Sequence, residues 1–122
     1  MRNVRNQVQI IGRLGSDVEL RALQNDRKVA NISLAVNRYY TNSIGQKVEN
    51  TDWFRVVAWG PLAENMEKIL HKGDEIMVHG RLQTGSYEDK NKVTHYTTDI
   101  VADQFLFISS PRKIKEETAA AS

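Results

Sequence analysis

Cysteine is absent from the 122 residues, so no disulfide and no thiolate metal site can be built from this chain. No apolar run approaches the ~20 residues needed to span a bilayer. The opening Met1-Arg2-Asn3-Val4-Arg5-Asn6 lacks the apolar stretch of a secretory signal. Together these point to a reducing, cytoplasmic setting. There is also little excess of either charge: 17 Lys and Arg against 15 Asp and Glu leave a formal +2. Any polyanionic partner must therefore be argued from where the charges sit, not from their sum.

Catalytic patterns are missing as well. His71, His79 and His95 fall on different segments, without another His close in sequence. Gly12-Arg13-Leu14-Gly15 has the wrong spacing for a dinucleotide loop. No serine sits in a nucleophile elbow. No catalytic residue, cofactor or metal ligand is expected, and a nuclease would need an acidic or histidine cluster that the sequence does not offer.

What is present is an ordinary soluble balance, 40% hydrophobic and 26% charged, in a length suited to one core. The dominant period is two, the period of strands. From Val4 to Leu14, Val8, Ile10 and Leu14 share one face, and Arg5, Gln7, Gln9 and Arg13 the other. Gly12 and Gly15 suggest a bend, after which Glu19-Leu20-Arg21 continues the pairing. Gln24-Asn25-Asp26-Arg27 is a polar turn. Lys28 to Tyr40 alternates next, with Ala30, Ile32, Leu34 and Val36 inward. Thr41 to Glu49 is expected to be a loop and Thr51 to Trp59 a third main strand.

Pro61 suits the first turn of a helix, where its missing N–H is not needed. Leu62, Met66, Ile69 and Leu70 form that helix's apolar stripe, and Gly73 is placed to end it. Glu75 to Ser86 and Thr94 to Ile108 are the last two strands, joined by a charged tip at Glu88 to Lys92; the second breaks near Asp103. Three strands, a helix and two strands fit a five-stranded, partly open barrel with one capping helix. An open sheet with a helix on one face has the same order. Residues 1–108 are expected to form this domain. Residues 109–122 lose apolar content and are expected to be a disordered tail.

The most informative segment is Asp52-Trp53-Phe54-Arg55-Val56-Val57-Ala58-Trp59. Alternation sends Phe54, Val56 and Ala58 to one face and Trp53, Arg55, Val57 and Trp59 to the other. Both tryptophans of the chain thus share a face with an arginine. Unpaired bases expose flat apolar surfaces, and aromatic rings stack on them with little sequence preference, at about 1–3 kcal/mol per base. Two simply buried tryptophans would give the same pattern. The strand from Glu75 carries His79, Arg81, Gln83 and Tyr87 on its wet face and Ile76, Val78 and Leu82 on its core face. Parity puts Tyr39 on the polar face and Tyr40 with the core residues, unless the strand end bulges.

These segments resemble bacterial single-stranded DNA-binding proteins over roughly residues 1–108. Asn6 to Glu19 is similar to the opening strand of that family, and Val29 to Ala35 to its second. Thr51 to Glu64 matches its central strand and helix start, and Lys72-Gly73 with Gly80 to Thr84 its fourth strand. The resemblance implies an OB-fold, an all-β five-stranded Greek-key barrel with one helix between strands 3 and 4. It implies a non-enzymatic homotetramer that coats single-stranded DNA during replication, repair and recombination. Its base-stacking rings fall on Tyr40, Trp53, Trp59 and Tyr87, preferring Tyr40 over Tyr39. Its phosphate contacts fall on Arg21, Arg55 and Lys72, with Arg2 and Arg5 similar in role and Arg81 a partial compensation for lost charges.

The departures are specific. Pro61 replaces a frequent lysine, Gln83 and Gly85 replace basic residues, and Phe54 a frequent histidine. For single strands each lost contact flattens the log–log salt slope by about 0.7. Family tails usually close on an acidic tip that recruits replication and repair proteins; here Ala119-Ala120-Ala121-Ser122 stands in that place. A primosome-type accessory protein acting through protein contacts, or an RNA-binding OB-fold, would share the same barrel.

Overall fold

The computed structural model describes residues 5–111. Strands β1 (Val8–Leu14), β2 (Glu19–Ala22), β3 (Lys28–Thr41) and β4 (Lys47–Trp59) are followed by helix α1 (Gly60–Ile69) and strands β5 (Glu75–Glu88) and β6 (Thr94–Ser109). Hydrogen bonding runs in the order β1-β5-β6-β4-β3-β2, and β1 also pairs with β3 through Arg13 and Leu14. That last contact closes β1, β5, β6, β4 and β3 into a five-stranded barrel. Short β2 lengthens the sheet beside β3, as the Glu19-Leu20-Arg21 stretch suggested. All the antiparallel pairs are complemented by one parallel pair, β4 with β6.

The barrel interior is the face that alternation predicts. Leu14, Ile32, Leu34, Val56, Ile76, Val78 and Ile100 are buried there. Helix α1 closes one end with Ala63 and Met66, and Leu70 follows just past its last turn. Gly60 makes the strand-to-helix turn without a linker: its φ of 64° is a left-handed value that glycine takes without steric cost.

Several expectations need correction. Ile69 is exposed, and Ala63 takes its place in the buried stripe. The helix stops at Ile69 with an extended Leu70, before Gly73. The expected loop from Thr41 to Glu49 shrinks to residues 42–46, because Asn42 builds a tight turn. Its carboxamide oxygen accepts the N–H groups of Ile44 and Gln46 at 3.1 and 2.9 Å. Both flanking strands therefore project past the barrel as a long β3–β4 arm. Leu82 holds core parity but lies where β5 outruns the barrel, and it is 44% exposed. His79 is buried rather than wet, with Nδ1 2.8 Å from Asp103 Oδ1.

The expected break at Asp103 is a bulge. Register slips between His79, opposite Gln104, and Gly80, opposite Ala102, so Asp103 is left over. Inward residues on β6 change accordingly from Ile100 and Ala102 to Phe105 and Phe107. Strand β6 runs to Ser109 and Ser110 is buried, slightly beyond the expected domain edge. Most of the expected tail, residues 112–122, lies outside the described residues, as do Arg2 and Val4.

Candidate nucleic-acid interface

The β3–β4 ladder keeps one register from Val29 opposite Trp59 to Thr41 opposite Lys47, with no slip. Parity can therefore be carried across it and on through Val57 opposite Val101 to β6, and from β6 to β5. One outer face results. It holds Arg21 on β2, Trp53, Arg55, Val57 and Trp59 on β4, and Arg81 and Tyr87 on β5. Trp53 is 61% exposed and Trp59 40%, so the simply buried alternative for both rings fails.

Two open depressions run along this face. One, of about 490 Å³, lies between Trp53, Arg55, Arg21 and Ser33. The other lies between Arg55, Arg21 and Trp59 over a floor of Val29, Val57 and Val101. Arg21, Asn31 and Arg55 border both, so the two join into a groove with one tryptophan near each end. Val29 and Val57 are nearly buried, which gives the groove an apolar bottom suited to flat bases. The Arg55 guanidinium donates to Asn31 Oδ1 at 3.2 Å and lies 3.9 Å from Asp99 Oδ1.

Other expected residues sit around this groove or away from it. Tyr87 lies on the β5–β6 arm and stacks on His95, ring centroids 5.0 Å apart and planes 21° apart. His95 Nε2 is 2.7 Å from Asp89 Oδ2. Asp89 Oδ1 also accepts the N–H groups of Asn91 and Val93, fixing the tip. The Asp89 carboxyl is held below the usual aspartate range, first by the His95 hydrogen bond and then by the Val93 N–H. Lys72 is exposed in the α1–β5 connection, where its backbone N–H donates to Asp17 Oδ1 at 2.8 Å. Asp17 belongs to the β1–β2 loop, the loop of Gly15, against which Trp53 packs; Lys72 thus lies toward the Trp53 end. Arg5 is exposed ahead of β1.

Tyr40 is not brought onto the shared face. With no bulge in the ladder, it keeps the parity of Leu34 and Val36, opposite Val48. Tyr39 keeps the parity of Trp53 and is the more exposed ring. Both lie on the projecting arm, beside Thr41 and Lys47.

The chain over residues 5–108 matches the model of the single-strand binding protein family. This chain belongs to the single-strand binding protein family. It is 41% identical over 97 residues to "Single-stranded DNA-binding protein 1" of Chlorobaculum tepidum, covering 79% of this chain and 60% of that one. It is 41% identical over 103 residues to "Single-stranded DNA-binding protein 1" of Staphylococcus aureus, covering 84% of this chain and 65% of that one. The matched stretch thus spans less than two thirds of either relative. Among solved structures, it is similar to a Plasmodium falciparum SSB in complex with ssDNA. That likeness has a TM-score of 0.81 at 26% identity and covers 89% of this chain and 99% of the other. The barrel with its single helix is accordingly the OB-fold of this family.

Two further residues support the rings of this candidate interface. His95 supports Tyr87, and Arg27 lies over Trp59 with its guanidinium carbon 4.9 Å from the ring centroid. Neither could be found by spacing, because strand pairing brings each ring to its neighbour. Among the described residues, no three His, Asp or Glu side chains group as a metal site. No helix among them is long and apolar enough to cross a membrane.

Proposed function

We propose that this protein binds single-stranded DNA without strong sequence preference. It coats and protects unpaired strands during replication, repair and recombination, and performs no chemistry on them. The observation that carries this reading is the groove between Trp53 and Trp59, floored by valines and bordered by Arg21 and Arg55. Bases stack on the indoles while phosphates meet the guanidinium groups. Tyr87, Arg81 and Lys72 extend the path, and Arg2, Arg5 and Tyr40 are assigned to it by the family resemblance. The relatives' names support the same ligand. The proposed setting is cytoplasmic, at the bacterial nucleoid.

The protein acts as a homotetramer in this reading. Residues Val8–Gly12 of β1 pair with β5 on one side only, which leaves an edge for a second β1. Beside that edge, Ile11, Met77 and Leu106 lie opposite one another on the outer face, with Ile11 and Leu106 exposed. Such a patch favours a second copy over water.

Titration tests the function. Tryptophan fluorescence is expected to quench strongly with poly(dT) and far less with duplex DNA at equal salt. Equal quenching by both removes the stacking mechanism.

A further inference from the structure

Trp59 borders two depressions. One is the groove of Arg21 and Arg55. The other, of about 410 Å³, lies between the β2–β3 turn and the start of α1, lined by Asp26, Arg27, Lys28, Trp59, Pro61 and Glu64. Arg27 reaches across it to Trp59, within the range of a cation–π contact.

The turn that presents Arg27 is an unusual one. The Leu23 N–H donates to the Arg27 carbonyl at 2.6 Å, closing the hairpin. Inside it, Asn25 and Asp26 take φ of 67° and 58°. Left-handed backbone is unfavourable for residues with a Cβ, and asparagine and aspartate tolerate it best. The sequence uses those two residue types at these two positions, and Arg27 follows directly.

The charges in this depression are unequal in availability. Lys28 Nζ is 2.7 Å from Glu64 Oε1, so those two largely cancel. Asp26 contributes a carboxylate on the turn, and Pro61 no charge. Among the described residues, Arg27 makes no ion pair within 4.0 Å. A guanidinium seated over a ring still has its in-plane N–H donors free for an acceptor.

We propose that this depression is a further subsite for the DNA strand, in which Arg27 takes the phosphate beside the base stacked on Trp59. The inference rests on the single-strand-binding reading above. It sends the strand past Trp59, out of the groove and toward the start of α1. The cation–π contact holds the guanidinium ready, so little side-chain entropy is lost when the phosphate arrives.

The test compares Arg27→Ala and Arg27→Lys with wild type, using fluorescence anisotropy of labelled dT oligomers across a salt series. Circular dichroism checks the fold of each. Arg27→Ala is expected to weaken binding roughly fivefold at moderate salt. Its log–log salt slope should flatten by about 0.7, the signature of one lost phosphate contact. Arg27→Lys should keep the slope and lose only part of the affinity. Unchanged affinity and slope in Arg27→Ala overturn the subsite, and so does tighter binding, which would make Arg27 a mere cover on Trp59. Wild-type protein that ignores dT oligomers overturns the parent reading instead.

Discussion

The indole of Trp53 is seated on Gly15. A Cβ built on Gly15 would come within 2.5 Å of Trp53 Cζ3 and 2.9 Å of Cη2. Gly15 is itself fixed, because its N–H donates to the Ser33 carbonyl at 2.8 Å. The β1–β2 loop therefore sets the position of a ring carried on β4. Gly15→Ala is expected to displace the indole and cost part of the platform's about 1–3 kcal/mol in single-strand binding. Trp53 emission in a Trp59→Phe background, with dT affinity, checks this; an unshifted spectrum with wild-type affinity would contradict it.

Trp53 and Trp59 lie six residues apart on one strand, about 20 Å at 3.3 Å per residue. Sites that far apart act independently. Trp53→Ala and Trp59→Ala should each cost about 1–3 kcal/mol on long dT chains, and the double variant should cost their sum. Isothermal titration of all four proteins measures the difference. If neither single variant weakens binding, the groove is not where bases stack.

Asp99 shares the groove with Arg55 and carries a charge that repels phosphate. Asp99→Asn should release the guanidinium and tighten binding a few-fold, since a long, partly exposed pair of this kind is worth about 1 kcal/mol. The salt slope should steepen slightly at the same time. Weaker binding would mean that Asp99 serves to aim Arg55.

The β5–β6 tip should respond to acid. Asp89 has a depressed pKa, so its contribution is fully present above the ordinary aspartate value and is lost as pH falls through its own lower value. Protection factors at the Asn91 and Val93 amides, corrected for the intrinsic pH dependence of exchange, should hold from neutrality down to that ordinary range and fall below it. Asp89→Asn should remove this pH dependence. His95→Ala should free the Tyr87 ring and cost about 0.5–1.5 kcal/mol of the stacked pair, visible as faster ring motion by NMR.

Most of the strands, the inward faces within the barrel and the existence of the helix were legible in local sequence, because strand parity is a property of neighbouring residues. Successive Cβ atoms point to opposite sides whatever the rest of the chain does. That is why Trp53, Arg55 and Trp59 could be placed together, and Val56 and Ala58 inside, before any pairing was known. Parity also put Tyr39 on the shared face, and the unbroken β3–β4 register kept it there. Where one residue is skipped, as at Asp103, the local pattern shows a break, but only the pairing with His79 and Gly80 makes it a bulge that switches the inward face. The pairs that complete the candidate interface needed the tertiary structure. Gly15 beneath Trp53, Arg27 over Trp59 and His95 against Tyr87 each join different elements, and their contact depends on register between strands. Register is chosen by the whole barrel closing on one core, and no single segment carries that information.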